Sequence, residues 1–236
     1  MSGLTTIEEI RKNERNSHME LYSQAELYQD GSWLKKPVKS VMELLPQWDR
    51  YECIRILDLG CGVGRNAVAI AKYFRDKQCD IDCVDILALA IEKLMENARK
   101  YQVASAVHSF LMPIEEFPIN YSYYDLIIAV SALEHVDTRE TFIKKLTEIK
   151  NGVKKHGAVC FVINSDVTEC RKDSGQKLTA QFEVNLRTRD LCEILDHIFE
   201  DWDVLNLNVK EQSYVIPRNG YSAQLHSRVV TFIAKK

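Results

Sequence analysis

Residues 54–64 read Ile-Arg-Ile-Leu-Asp-Leu-Gly-Cys-Gly-Val-Gly, and a helical pattern follows at once. No other stretch constrains the fold as strongly. An apolar run that passes through closely spaced glycines straight into a helix is the opening of a β-α-β unit. Glycines at 60, 62 and 64 allow backbone conformations closed to other residues. They also let a ligand lie against bare backbone, facing the N–H groups of the helix that follows.

The rest of the chain continues that alternation. Ala67, Val68, Ile70, Ala71 and Phe74 place a helix over 65–75, and a strand at Cys79–Val84 ends in Asp85. Leu87, Ile91, Leu94, Met95 and Ala98 mark a helix over 87–101, followed by a short strand at 104–110. Leu126–Val130 and Ala158–Ile163 are unbroken apolar runs, as expected of central strands covered on both faces, with a helix over 138–154 between them. Residues 165–185 turn polar around Gly175 and read as a loop or lid. Leu191, Ile194, Leu195 and Ile198 mark a further helix. Strands at 202–209 and 225–234 are too close in sequence for a helical crossover and should pair antiparallel.

The expected fold class is therefore α/β: a doubly wound, mostly parallel seven-stranded sheet with a C-terminal antiparallel strand pair and helices on both faces. Residues 1–49, helical in pattern over 5–48, form an N-terminal helical cap in this reading, and 50–236 the ligand-binding unit. Ligands bind such sheets at the carboxyl ends of the strands, where Asp58–Gly64, Asp85, Met112–Glu115 and Ser131–His135 all fall.

Composition narrows the partners. The 236 residues carry a formal net charge of −3 with no basic block, which argues against nucleic acid as an obligatory partner. No apolar run approaches the roughly 20 residues of a membrane helix, and no basic-then-apolar leader is visible. The seven cysteines include no C-x-x-C pair; they read as reduced core residues of a cytoplasmic protein. Cys79 and Cys83 stand more than about 12 Å apart on an extended strand, so no shared metal is expected. The subunit is expected to be a monomer or homodimer.

The ligand follows from three details. The dinucleotide fingerprint is G-x-G-x-x-G, whereas here the spacing is G-x-G-x-G, with Arg65 where the last glycine would fall. A pyrophosphate gains nothing from a neighbouring carboxylate, but a cation does, and Asp58 supplies one. Asp85, at the second strand end, can accept from both hydroxyls of a ribose. A nucleoside that carries positive charge satisfies all three, and S-adenosylmethionine is such a molecule. A ligand-free tight turn and a dehydrogenase are the competing readings.

These residues resemble the class I S-adenosylmethionine-dependent methyltransferases. Leu57-Asp58-Leu59-Gly60-Cys61-Gly62-Val63-Gly64 is similar to their first motif, Val84-Asp85 to their acidic strand end, and Tyr124–Ile127 with Ser131–Val136 to their fourth-strand region. The resemblance spans about residues 50–165. It implies a cofactor site at Asp58, Gly60, Cys61, Gly62, Gly64, Asn66, Asp85, Ile86, Met112, Pro113, Ile114 and Ser131, with S-adenosylhomocysteine as product. Pro113 stands where the family usually has an adenine-binding Asp. Adenine would then rely on backbone near Ile114, on packing from Ile86, Met112 and Leu133, or on Glu115.

A narrower resemblance, carried by Arg65-Asn66 and by Leu225–Lys236, is to the tellurite-resistance methyltransferases. It implies a small-molecule acceptor such as tellurite or selenite, with Arg228 and His226 as cations beside it. An oxyanion needs no base; an acceptor with a proton to lose does, and His135 is the candidate. A protein that keeps the cofactor site without turnover, as a regulator or sensor, is the alternative reading.

Overall fold

In the computed structural model, residues 22, 26–218 and 220–236 are described; the part of the helical pattern expected over 5–48 that precedes residue 26 lies outside them, Tyr22 apart. The strands are β1 (Cys53–Leu59), β2 (Gln78–Asp85), β3 (Val107–Leu111), β4 (Tyr124–Val130), β5 (Val153–Arg171), β6 (Lys177–Leu178), β7 (Asp203–Arg218) and β8 (Tyr221–Lys235). They form one sheet in the order β3-β2-β1-β4-β5-β8-β7, with β6 paired to β5 off that path. Strands β1 to β5 are parallel, whereas β8 runs antiparallel to both β5 and β7. The helices are α1 (Ala67–Tyr73), α2 (Ala88–Lys100), α3 (Arg139–Gly152) and α4 (Thr188–Ile198).

The two faces of the sheet are sorted by the alternation of each strand. Ile54 and Ile56 of β1, Leu126 and Ile128 of β4, and Ala158 and Cys160 of β5 point to one side. There they meet α1, α2 and the N-terminal residues Leu34, Val41, Leu45 and Trp48. Leu57, Leu59, Ile127, Val159 and Phe161 point to the other side and meet Phe142, Leu146 and Ile149 of α3 and Leu191 and Leu195 of α4. Each of these large side chains, fully out of water, contributes about 1.5–3 kcal/mol. Residues 33–48 are three single helical turns (Trp33–Lys35, Lys39–Met42 and Leu45–Trp48) that share the first of these cores.

The largest departure from expectation lies after Asn164. The polar stretch is not one loop: β5 runs on to Arg171 and folds back through β6. The hairpin strands are also longer than the apolar runs suggested. They extend from 203 to 218 and from 221 to 235, joined by a tight turn with Gly220 at φ 85°. Backbone pairing between neighbours, rather than apolar content, sustains β5, β8 and β7 beyond the core. That antiparallel extension reaches past the carboxyl ends of the parallel strands. No helix among the described residues is long and apolar enough to cross a membrane.

Candidate cofactor and acceptor cavity

The glycine loop leaves β1 with Gly60, Gly62 and Gly64 at φ 72°, 52° and 89°. A Cβ on Gly60 would stand 2.3 Å from Ala132 Cβ, and one on Gly62 would stand 2.8 Å from the Tyr22 hydroxyl. The loop is held from β2: the N–H of Gly62 donates to Asp85 Oδ2 (2.8 Å), and those of Gly60 and Cys61 donate to the Val84 carbonyl (2.8 and 3.0 Å). Asp85 Oδ1 accepts from the N–H of Leu87 (2.9 Å), at the start of α2.

A cavity of about 750 Å³ opens over this loop and runs under the β7–β8 hairpin. Gly60, Cys61, Gly62, Asn66, Asp85 and Ile86 line its end over the glycine loop, together with Pro113 and Ile114. Ser131 and His135 line it further along, where β4 ends. Ser131 adopts φ 51° and its N–H donates to the Val162 carbonyl (2.7 Å). Most residues expected in one site are thus brought together, with the apolar Pro113 at the position expected of an adenine-binding Asp. Glu115 does line the cavity nearby.

Five expected residues, Asp58 among them, are not in that lining. Gly64 faces away: a Cβ there would meet Leu94 and Val68 of the helices behind the loop. Met112 is outside the lining and packs against the second core. His226 and Arg228 are also outside it, and the Arg228 guanidinium pairs with Glu211 (3.3 Å) and Asp166 (4.0 Å). The reason is the two-residue period of β8. Leu225 and Val229 point into the cavity, and Ser227 lies on that face with its hydroxyl donating to Asn164 Oδ1 (3.0 Å). The residues between them must point to the opposite face.

Asp58 lies beneath the cavity rather than in its wall. It is 1% exposed, and its Oδ2 has no hydrogen-bond partner among the described residues. Burial pushes its carboxyl up to about 7; the Arg65 guanidinium pulls it back, and Asp85 adds to the rise. Burial also lowers Arg65 from its usual range, opposed by Asp58. A buried carboxylate oxygen without a donor is costly, and a ligand cation beside the loop would relieve it. That orphaned oxygen, the open glycine backbone and the apolar walls of Ile86, Leu87, Pro113 and Ile114 all suit a positively charged nucleoside.

The end under the β7–β8 hairpin holds residues that no motif marked. Asn164 lines the cavity, and its backbone N–H and side-chain amide both donate to Glu134 Oε1 (2.9 and 2.8 Å). Phe182, Glu183, Tyr214, Leu225 and Val229 complete this end. The alternation Leu225-His226-Ser227-Arg228-Val229 was the available signal for the hairpin's apolar face; it had no partner strand to orient it in sequence alone. Among the described residues, no group of three or more His, Cys, Asp or Glu is placed to hold a metal ion.

Known proteins resemble this chain in sequence and in fold. A family model described as a methyltransferase domain matches residues 56–157. The norajmaline N-methyltransferase of Rauvolfia serpentina is 25% identical over 157 residues, which cover 61% of this chain and 49% of that protein. A tRNA N(3)-cytidine methyltransferase of Mus musculus is 27% identical over 137 residues, covering 55% and 34%. The chain thus spans about half the length of the first of these relatives and a third of the second. Among solved structures, TehB from Haemophilus influenzae superposes with a TM-score of 0.61 at 20% identity, over 84% of this chain and 62% of that one, a likeness of fold.

Proposed function

We propose that the chain is a class I S-adenosylmethionine-dependent methyltransferase, as its match over residues 56–157 to a methyltransferase-domain model supports, and that it transfers a methyl group from S-adenosylmethionine to a small-molecule acceptor held under the β7–β8 hairpin. The observation that carries this reading is the Oδ2 of Asp58, which has no hydrogen-bond partner among the described residues and is buried directly behind a glycine loop that Asp85 holds in place. S-adenosylmethionine supplies an already activated methyl group together with the ammonium and sulfonium charges that such a carboxylate favours.

The protein's tasks are then binding, alignment and exclusion of water. Asp85, which already accepts from the N–H groups of Gly62 and Leu87, would also accept from the ribose hydroxyls. Gly60 and Gly62 give access to backbone. Ile86, Pro113 and Ile114 would enclose the base by packing, without the acidic contact common at position 113. Asp58 would face the ligand's ammonium across the loop, and Arg65, which lines the cavity, would meet its carboxylate. Asn66 is committed to structure in part: its Oδ1 accepts from the Val38 N–H (3.0 Å) and ties the N-terminal turns over the site.

An oxyanion such as tellurite or selenite is the narrower reading that the sequence resemblance implies. It relied on cations at 226 and 228, and neither residue lines the cavity. What remains in its support is likeness of fold. The test is calorimetric titration with S-adenosylhomocysteine, followed by an assay for its release from S-adenosylmethionine across a panel of acceptors. Binding without turnover of any acceptor favours a regulator or sensor; absence of binding removes both readings.

A further inference from the structure

We propose that the acceptor is a largely apolar molecule presenting an O–H or N–H group, that His135 takes its proton, and that Glu183 is the residue that positions His135 for this. The proposal rests on the methyl-transfer reading above and names the substrate class for that same cavity.

The walls come first. The cavity is walled by Leu34 and Val38 from the N-terminal turns, the latter bonded to Asn66, and by Val162 from β5, Phe182, and Leu225 and Val229 from β8. Cross-strand pairing of Leu225 with Tyr214 puts an aromatic ring on the same face. Among the described residues the lining holds one Arg, Arg65 by the glycine loop, and no Lys, so an anion moved from water onto these apolar walls loses hydration for little return. A neutral, mostly apolar molecule gains from the same surface.

The second observation is a pair of side chains. His135 Nδ1 lies 2.9 Å from Glu183 Oε2, and both residues line the cavity. The Glu183 side chain is only 2% exposed, whereas the imidazole is 25% exposed and stacks on Phe182 with centroids 5.0 Å apart. A carboxylate can only accept, so Nδ1 carries the hydrogen and Nε2 is the basic nitrogen. An acceptor that is already an anion has no use for that arrangement. An alcohol, phenol or amine does.

Glu183 is also held rather than loosely tethered. Its neighbour Val184 donates to the Glu134 carbonyl (3.0 Å), and the Gln181 N–H donates to Glu169 Oε1 (2.9 Å). Asn185 both accepts from and donates to the backbone of Val167 (2.9 and 2.8 Å). The segment that brings Phe182 and Glu183 to the cavity is thus fastened to β5 and to the turn that bears His135. In the step itself the acceptor's O–CH3 or N–CH3 bond forms as the sulfur–methyl bond breaks. The broken bond's electron pair goes to sulfur, and the acceptor's proton goes to Nε2, then to solvent.

Other titratable groups around the cavity, among the described residues, are Glu134 on the same turn, with Oε1 bound to Asn164; Cys61, Arg65 and Asp85 by the glycine loop; Tyr22 before the N-terminal turns; Glu115 after β3; and Tyr214 of β7. Glu183 is distinguished by direct contact with the imidazole. Its loss should therefore act through the base. Release of S-adenosylhomocysteine is to be assayed with 2-naphthol, 1,2,3,4-tetrahydroisoquinoline, selenite and tellurite, using the full chain and its Glu183→Gln and Glu183→Asp variants. Turnover is expected with the naphthol or the cyclic amine, which also tells O–H from N–H acceptors, and not with the oxyanions. Glu183→Gln should lower kcat by roughly 10- to 100-fold at unchanged KM for S-adenosylmethionine, with partial recovery in Glu183→Asp. It should also move the acid limb of kcat/KM to lower pH, because a weaker negative neighbour disfavours imidazolium.

The His135 ring resonance, followed by NMR in the S-adenosylhomocysteine complex, gives a readout independent of the acceptor. Its titration midpoint should fall by about one pH unit in Glu183→Gln. Turnover of oxyanions alone, no turnover of any of the four despite nucleoside binding, or an unmoved midpoint would overturn the proposal. Absence of S-adenosylhomocysteine binding by the unaltered protein would instead strike the methyl-transfer reading.

Discussion

The backbone N–H of Gly62 donates to Asp85 Oδ2 at 2.8 Å, so the middle of the glycine loop and the end of the second strand hold each other in place before any ligand arrives. A loop with three positive-φ glycines has much conformational freedom to lose. Asp85 restricts it, and Oδ1 does the same for the first turn of α2 through Leu87. Asp85→Ala removes both contacts together with the proposed ribose acceptor. We expect S-adenosylhomocysteine affinity to fall by roughly 30- to 1,000-fold, the loss of about 2–4 kcal/mol of charge-assisted hydrogen bonding. Asp85→Asn retains one acceptor oxygen and should unfold closer to the unaltered protein while still binding poorly. Calorimetric titration and thermal denaturation of the two variants separate these effects; undiminished affinity in Asp85→Ala would count against the ribose role.

Asp58 makes the ligand-free protein sensitive to pH. Its carboxyl sits at about 7 when folded, against an ordinary 3.8, with burial as the main cause. A raised folded value means the folded chain keeps a proton that the unfolded chain gives up. The associated stability is fully present below about pH 4 and is lost as pH rises through 7. The ligand-free fold should thus weaken by up to roughly 4 kcal/mol between pH 4 and pH 8 from this group. Asp58→Asn should be more stable than the unaltered protein at pH 8 and similar at pH 4, by denaturant titration. A cationic ligand requires the ionised form, so nucleoside binding at pH 6 should release protons. Calorimetry in two buffers of different ionisation enthalpy measures that release. Equal heats in both buffers would remove Asp58 from the binding equilibrium.

What could be read from residues alone follows from the range of the interactions involved. The glycine spacing, Asp58 and Asp85 are local patterns, and the parallel strands announce themselves as unbroken apolar runs. The polar part of β5 and the far half of the β7–β8 hairpin do not, because there the backbone pairs strand to strand without a covered apolar face. Glu183 and Asn164 were invisible for a similar reason. Each acquires its meaning from a partner dozens of residues away, His135 in one case and Glu134 in the other. The misplacement of His226 and Arg228 had another origin. Their basic character was legible, but the side of the sheet they occupy depends on a register that only the neighbouring strands fix.

Two glycines offer a controlled comparison of backbone and space. Gly60 adopts φ 72°, and an added Cβ would lie 2.3 Å from Ala132 Cβ, on a buried residue that cannot retreat without moving the turn before His135. Gly175 adopts a similar φ of 69° with nothing within 4 Å. Gly175→Ala therefore bears only the left-handed backbone penalty, about 1 kcal/mol. Gly60→Ala bears that penalty plus overpacking, about 2–4 kcal/mol in all. Denaturant midpoints should fall further for Gly60→Ala, and nucleoside affinity should fall in that variant alone. Equal destabilisation would mean that the turn at Ala132 yields freely.

Arg228 provides a test of which face of the hairpin meets the acceptor. Its guanidinium is half exposed, paired with Glu211 across the strand and near Asp166. Both partners lie on the side away from Leu225 and Val229. An exposed pair of this kind contributes about 0–1 kcal/mol, and no atom of Arg228 lines the cavity. Arg228→Ala should accordingly leave kcat and KM for acceptor and cofactor within about twofold, with little change in melting temperature. Leu225→Glu, three residues earlier on the opposite face, places a carboxylate among Tyr214, Val229 and the other walls of the acceptor end. An apolar acceptor should then bind at least about tenfold more weakly, at nearly unchanged affinity for the nucleoside. The two substitutions thus pull apart two uses of the same strand. A strong loss of turnover in Arg228→Ala with Leu225→Glu silent would mean that the hairpin turns its other face to the acceptor during catalysis, and would return a cationic, oxyanion-binding site to first place.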